Sequence, residues 1–134
     1  MFYEFSIEVT ANTLESAPKE QELKLCAGVI QKVHVLFPPG PHAMVKLRFK
    51  EGGHQYLPTN PEGDIASDDE VWEADDEYHE LGSPYILKAV AYSPGTTYNH
   101  TLRGRISILR PEEVEKASGI IVALKKFLKL VGLG

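Results

Sequence analysis

The sequence predicts a mainly β protein: an antiparallel β-sandwich, laid out as an eight-stranded jelly roll, followed by one C-terminal amphipathic α-helix. Three observations predict it. From Phe2 to Leu109 apolar residues recur mostly at every second position, the period of a strand with one buried and one wet face. Eleven glycines and nine prolines supply the frequent reversals of a sandwich, whose turns recur roughly every 8–12 residues. Beyond Pro111 the apolar spacing becomes three and four, which is helical. The chain therefore divides into a sandwich over residues 1–110 and a helix over residues 111–134.

The first strand is the clearest, because Tyr3, Phe5, Ile7 and Val9 alternate with Glu4, Ser6, Glu8 and Thr10. A polar connection runs from Ala11 to Glu20. Leu23, Leu25 and Ala27 then form a second strand, and Val33, Val35 and Phe37 a third. Pro38-Pro39-Gly40-Pro41 stops the third, since proline offers no ladder donor and fixes its own φ. Val45, Leu47 and Phe49 alternate with Lys46, Arg48 and Lys50 in a fourth, and Gly52-Gly53 turns the chain into a short fifth, His54 to Leu57. Pro58 to Asp64 is dense in turn formers and reads as a surface loop. The acidic stretch after it carries two short apolar pieces, Val71-Trp72 and Tyr78 to Leu81, separated by Asp75-Asp76-Glu77. Tyr85 to Tyr92 is a nearly continuous apolar run, as expected of a strand buried on both faces or at a subunit contact. Leu102, Ile106 and Ile108 alternate with Arg103, Arg105 and Ser107 in the last strand.

The helix opens on Pro111 with Glu112 and Glu113 behind it and carries Lys125, Lys126 and Lys129 toward its end, as the macrodipole prefers. Its seam is Val114, Ala117, Ile121, Leu124, Leu128 and Val131, and Ile120, Ala123, Phe127 and Leu130 widen it. The apolar arc then covers roughly half the circumference, more than a helix lying on one sheet needs. Val114, Ala117, Ile120, Ile121, Leu124, Phe127, Leu128 and Val131 are accordingly the expected oligomer interface. Lysines beside an apolar face also suit a membrane surface, a reading the sequence favours less.

Composition narrows the function classes. At 134 residues the chain is one domain large enough to bury a core without metals or disulfides. Its one cysteine, Cys26, cannot form an internal disulfide. The start, Met1-Phe2-Tyr3-Glu4, lacks the basic and apolar regions of a signal peptide, so synthesis in the cytoplasm is expected. Ten carboxylates and no Lys or Arg lie between Glu62 and Glu80, against nine acidic and fourteen basic residues elsewhere. One region is thus strongly anionic, which argues against a general nucleic-acid surface, since phosphate binding needs a basic stripe; the remaining Lys and Arg could still make a local basic patch. Direct nucleic-acid binding is not expected.

No motif names a reaction. Asp64, Asp68, Asp69 and Glu70 could offer oxygens to calcium, yet their spacing lacks the alternation and glycine of an EF-hand loop, and a solvated acidic face is the expected reading. His34, His42, His54, His79 and His100 form no close ligand pair, so no cofactor or metal is expected. The serines lack a nucleophile-elbow context and Cys26 has no positioned base. A non-enzyme is therefore expected. Trp72, Tyr56 and Tyr78 are a candidate stacking platform for sugars, set against ordinary core packing.

Between Glu22 and Arg110 the layout resembles small single jelly-roll structural proteins of tailed phages and other double-stranded DNA viruses. The resemblance lies in the Phe37-Pro38-Pro39-Gly40 strand stop, the Leu57-Pro58-Thr59-Asn60-Pro61 turn, the acidic mid-region, and Tyr98-Asn99-His100-Thr101 entering the last strand. It implies a homo-oligomeric virion component: a capsid-associated, decoration or assembly protein that contacts itself, as a trimer or higher ring, and other virion proteins. A carbohydrate-binding sandwich is the alternative.

Overall fold

The computed structural model describes residues 1–111, apart from the side chains of residues 76–78. The expected helical interface from Val114 to Val131 lies outside the described residues. Eight strands follow in order: β1 (Phe2–Val9), β2 (Lys19–Lys24), β3 (Val29–Phe37), β4 (Lys46–Glu51), β5 (His54–Leu57), β6 (Glu70–Glu80), β7 (Ile86–Tyr92) and β8 (His100–Leu109). They form two four-stranded sheets, a first ordered β1-β8-β3-β6 and a second ordered β2-β7-β4-β5. Every pairing is antiparallel, so the expected antiparallel sandwich is present.

Each strand of the first half pairs with its mirror in the second: β1 with β8, β2 with β7, β3 with β6, β4 with β5. The chain is in effect one long hairpin turning at Gly52-Gly53, whose two arms cross together from sheet to sheet. The β3–β8 and β4–β7 ladders then join successive layers of that hairpin side by side. Alternation does the rest. Ile7, Val33, Val35, Phe37, Leu47, Phe49, Leu87, Leu102, Ile106 and Ile108 are wholly buried between the sheets, while their strand neighbours face water. Phe5 joins this core edge-on to Phe49, ring centroids 5.9 Å apart. Its ring has room because its cross-strand partner is Gly104, where a Cβ would sit 2.2 Å from the Phe5 ring.

Three expectations change. The second strand begins at Lys19 and the third at Val29, because the Gln21 and Leu23 side chains, not Leu25 and Ala27, fall in register over Ala89 and Leu87. The acidic stretch is one strand of eleven residues, not two short pieces. It is an edge strand, paired on one side only, where charged residues are tolerated and discourage unwanted pairing. The apolar run at Tyr85 to Tyr92 does lie inside a sheet, between β2 and β4, with Ala89 and Val90, on opposite faces, both buried.

The Pro58-to-Asp69 loop is pinned rather than free. Ile65 exchanges both backbone hydrogen bonds with Leu47, each 2.9 Å. From below, the Gln55 amide donates to the carbonyls of Pro58 at 2.8 Å and Asn60 at 3.0 Å, and lies 3.4 Å from that of Gly63. Asp68 in turn accepts the Gly40 and His42 amides, each at 2.9 Å, so the proline-rich turn after β3 is tied to the entry of β6.

Candidate functional site

Registers across the first sheet set which side chains meet on its outer face. At one level Glu4, Arg105, His34 and Glu73 form a row across β1, β8, β3 and β6; at the next, Ser6, Arg103, Leu36 and Val71 do; on the other side, Phe2, Ser107, Lys32 and Asp75. The first two rows line a shallow open groove of about 660 Å³, with Glu4, Ser6, Arg103, Arg105, His34, Leu36 and Val71 along it. Positive charge runs down the middle strand β8 and carboxylates stand on both outer strands. Leu36 and Val71, directly paired, remain 44% and 49% exposed.

The polar groups on this face are loosely held. Arg105 Nε lies 3.5 Å from Glu4, and both side chains are about two-thirds exposed, so the pair contributes at most about 1 kcal/mol. Among the described residues Arg103 makes no ion pair. His34 Nε2 lies 2.9 Å from Asp75 Oδ1, and Glu73 joins them in a group whose donor atoms all fall within 4.8 Å of one another. Ser6 stands across from Arg103 on this face, and the arrangement can attract charge and apolar surface.

The residues named for calcium are engaged elsewhere. Asp64 Oδ1 accepts Arg48 Nε at 2.5 Å and its Oδ2 accepts the Tyr92 hydroxyl at 2.6 Å. Asp68 holds two amides, of His42 and then Gly40, which depress its carboxyl below the usual range. Glu70 accepts the Ser67 hydroxyl, and the Asp69 amide donates to Pro38. The carboxylates of Asp64, Asp68 and Glu70 thus hold different protein partners. Of the aromatic platform, Trp72 packs against the core, and Tyr56 is 8% exposed with its ring stacked on His79 at 4.3 Å. The side chain of Tyr78 is outside the described set. The groove, by contrast, was invisible to motif reading. Its only sequence trace is a set of outward i, i+2 pairs: Arg103 with Arg105, His34 with Leu36, Glu73 with Asp75.

The Arg48–Asp64–Tyr92 group predicts a pH effect. Burial first, then the hydrogen bond to Asp64, pushes the Tyr92 phenol up to about 12. A phenol whose folded value is raised stabilises the fold fully below its ordinary value near 10 and loses that contribution as pH rises through the folded value. Stability should therefore fall between about pH 10 and pH 12, and Asp64→Asn should lower the Tyr92 ionisation point while burial keeps it above its ordinary value. Ultraviolet titration of wild type and Tyr92→Phe checks it: the curves should coincide up to about pH 10 and part only toward pH 12, and a difference already complete near pH 10 would contradict the assignment.

No family model matches the chain, and no curated protein matches it in sequence. Among solved structures it is similar to the crystal structure of FLHE, at 12% identity and a TM-score of 0.46, over 79% of this chain and 94% of that one.

Proposed function

We propose that this chain is a non-enzymatic structural module of jelly-roll layout that associates with copies of itself, as its resemblance to virion jelly-roll proteins implies. The layout has support in the strand order. Successive strands alternate between the two sheets except at β4–β5, and each strand pairs with its mirror, the pattern of a double Greek key rolled on itself.

What carries self-association is one juxtaposition on the outer face of the first sheet. An exposed apolar pair, Leu36 and Val71, lies beside the Arg103–Arg105 stripe, and the unpaired edge strand β6 presents Glu73 and Asp75 at its rim. An arginine stripe of one copy set against the acidic edge of the next buries the apolar pair and matches charge. Such a contact joins two different patches and forms a ring where its rotation closes, which suits a trimer or higher better than a dimer. The carbohydrate alternative would have to use the same groove, since Trp72 and Tyr56 are packed inward.

Mass photometry of the full chain tests the reading. Wild type should run as an oligomer that dissociates as salt rises, and Arg103→Glu with Arg105→Glu should shift it to monomer. A charge-reversed variant that keeps the wild-type oligomer removes this face from the interface. A monomeric wild type retained by immobilised oligosaccharide would favour the alternative.

A further inference from the structure

We propose that His34, Glu73 and Asp75 form a binding site for a divalent transition-metal ion of the zinc class. The site takes the carboxylates that the assembly reading sets against a neighbouring copy's arginines, and its test reads metal uptake rather than oligomeric state. Glu73 and Asp75 are two residues apart on β6 and so share its outer face, and His34 is the direct cross-strand partner of Glu73 on β3. One donor atom from each lies within 4.8 Å of the other two, with His34 Nε2 already 2.9 Å from Asp75 Oδ1. Metal bonds of about 2.0–2.2 Å to nitrogen and oxygen require donors roughly 3–4 Å apart, a change that side-chain rotation supplies without moving the backbone. The histidine stands on a strand hydrogen-bonded on both sides, to β8 and β6, and rigid placement of this kind favours a metal site.

A second observation separates this group from Asp64, Asp68 and Glu70, which each have a guanidinium, amide or hydroxyl partner. Among the described residues no Lys or Arg lies within ion-pair distance of Glu73 or Asp75. The nearest cation in the same row, Arg105, pairs with Glu4 on the far side. Within one chain Asp75 faces Lys32 across the ladder beyond ion-pair distance and Glu73 faces His34, so the two like charges are held only by the imidazole, and a divalent ion adds the missing counter-charge. An imidazole nitrogen with two carboxylates suits Zn²⁺, Co²⁺ or Ni²⁺; Ca²⁺ and Mg²⁺ prefer all-oxygen shells. Three protein donors leave at least one coordination position open.

Titration of the full chain with Zn²⁺ by calorimetry, and with Co²⁺ by its visible absorption, tests the proposal. One equivalent of each should bind per chain. His34→Ala should weaken binding by at least about 10–100-fold, and Glu73→Gln with Asp75→Asn should do the same, while His54→Ala should leave it unchanged. All three donor residues are on the surface, so melting curves recorded without metal should match wild type. Absence of saturable uptake by wild type overturns the proposal, as does a stoichiometric site that survives His34→Ala or the double carboxylate variant.

Discussion

Gly28→Ala should lower the free energy of unfolding by about 3 kcal/mol or more, combining backbone strain with overpacking. Gly28 has φ of +153°, a region that residues with a side chain rarely adopt. A Cβ there would sit 2.3 Å from the Leu109 carbonyl oxygen and 2.6 Å from Ile108 Cγ2. The first of those atoms is backbone, belonging to β8, and cannot rotate away. Relief would require β3 and β8 to separate at Val29 and Leu109, where they pair. It would also pull on the Gly28 carbonyl, which accepts the Leu81 amide at 3.1 Å. Gly52→Ala is the control. Gly52 too has positive φ, +60°, but a Cβ there meets nothing within 4 Å, so only the conformational cost of about 1 kcal/mol applies. Urea denaturation of both variants measures the contrast, and equal losses would show that the approach to Leu109 is not what demands glycine.

Gln55→Glu should destabilise by about 3 kcal/mol at neutral pH, the scale of a buried charge facing acceptors. The Gln55 side-chain nitrogen is a donor to carbonyls on the Pro58-to-Gly63 turn, and the residue is only 9% exposed. A carboxylate in its place turns donation into repulsion and leaves the Pro58 and Asn60 carbonyls without their partner. The loss should shrink as pH falls, because the introduced carboxyl, once protonated, has one O–H to donate. Gln55→Met removes the donor without adding charge and should cost roughly half as much, near the penalty of an unsatisfied buried acceptor. A Gln55→Glu variant as stable as wild type at neutral pH would mean that the turn holds itself together through Ile65 and Leu47 alone.

These two sites differ in how far they can be read from the chain. Gly52-Gly53 announces a turn, and Pro58-Thr59-Asn60-Pro61 a loop, because both are local statements about φ and missing donors. Nothing near Gly28 says that β8 passes close behind it. Likewise Gln55 is an ordinary polar residue in a short strand until the loop folds over it. The acidic run shows the opposite failure. Dense carboxylates suggest a solvated loop, yet with Ala74 and Trp72 facing the core and Glu73 and Asp75 facing water, the segment is a strand. One unpaired edge is enough to tolerate its charge.

The candidate site was legible only in fragments. Alternation shows that Arg103 and Arg105 share one strand face, and that Glu73 and Asp75 share another, since side-chain direction depends on the local backbone alone. The rows Glu4–Arg105–His34–Glu73 and Ser6–Arg103–Leu36–Val71 depend on β8 entering between β1 and β3. That placement follows from two arms of a long hairpin crossing together.

The strand-rich character of residues 1–110, the inward set of apolar residues and the positions of the main turns were all written in the order of the amino acids, each a consequence of short-range periodicity and dihedral preference. Which strands are neighbours emerged with the folded chain, and with it the groove, the grouping of His34 with Glu73 and Asp75, and the inward packing of Trp72 and Tyr56. Pairing partners lie far apart along the chain, and their register is selected by burying both inner faces at once, a condition no local window of residues contains.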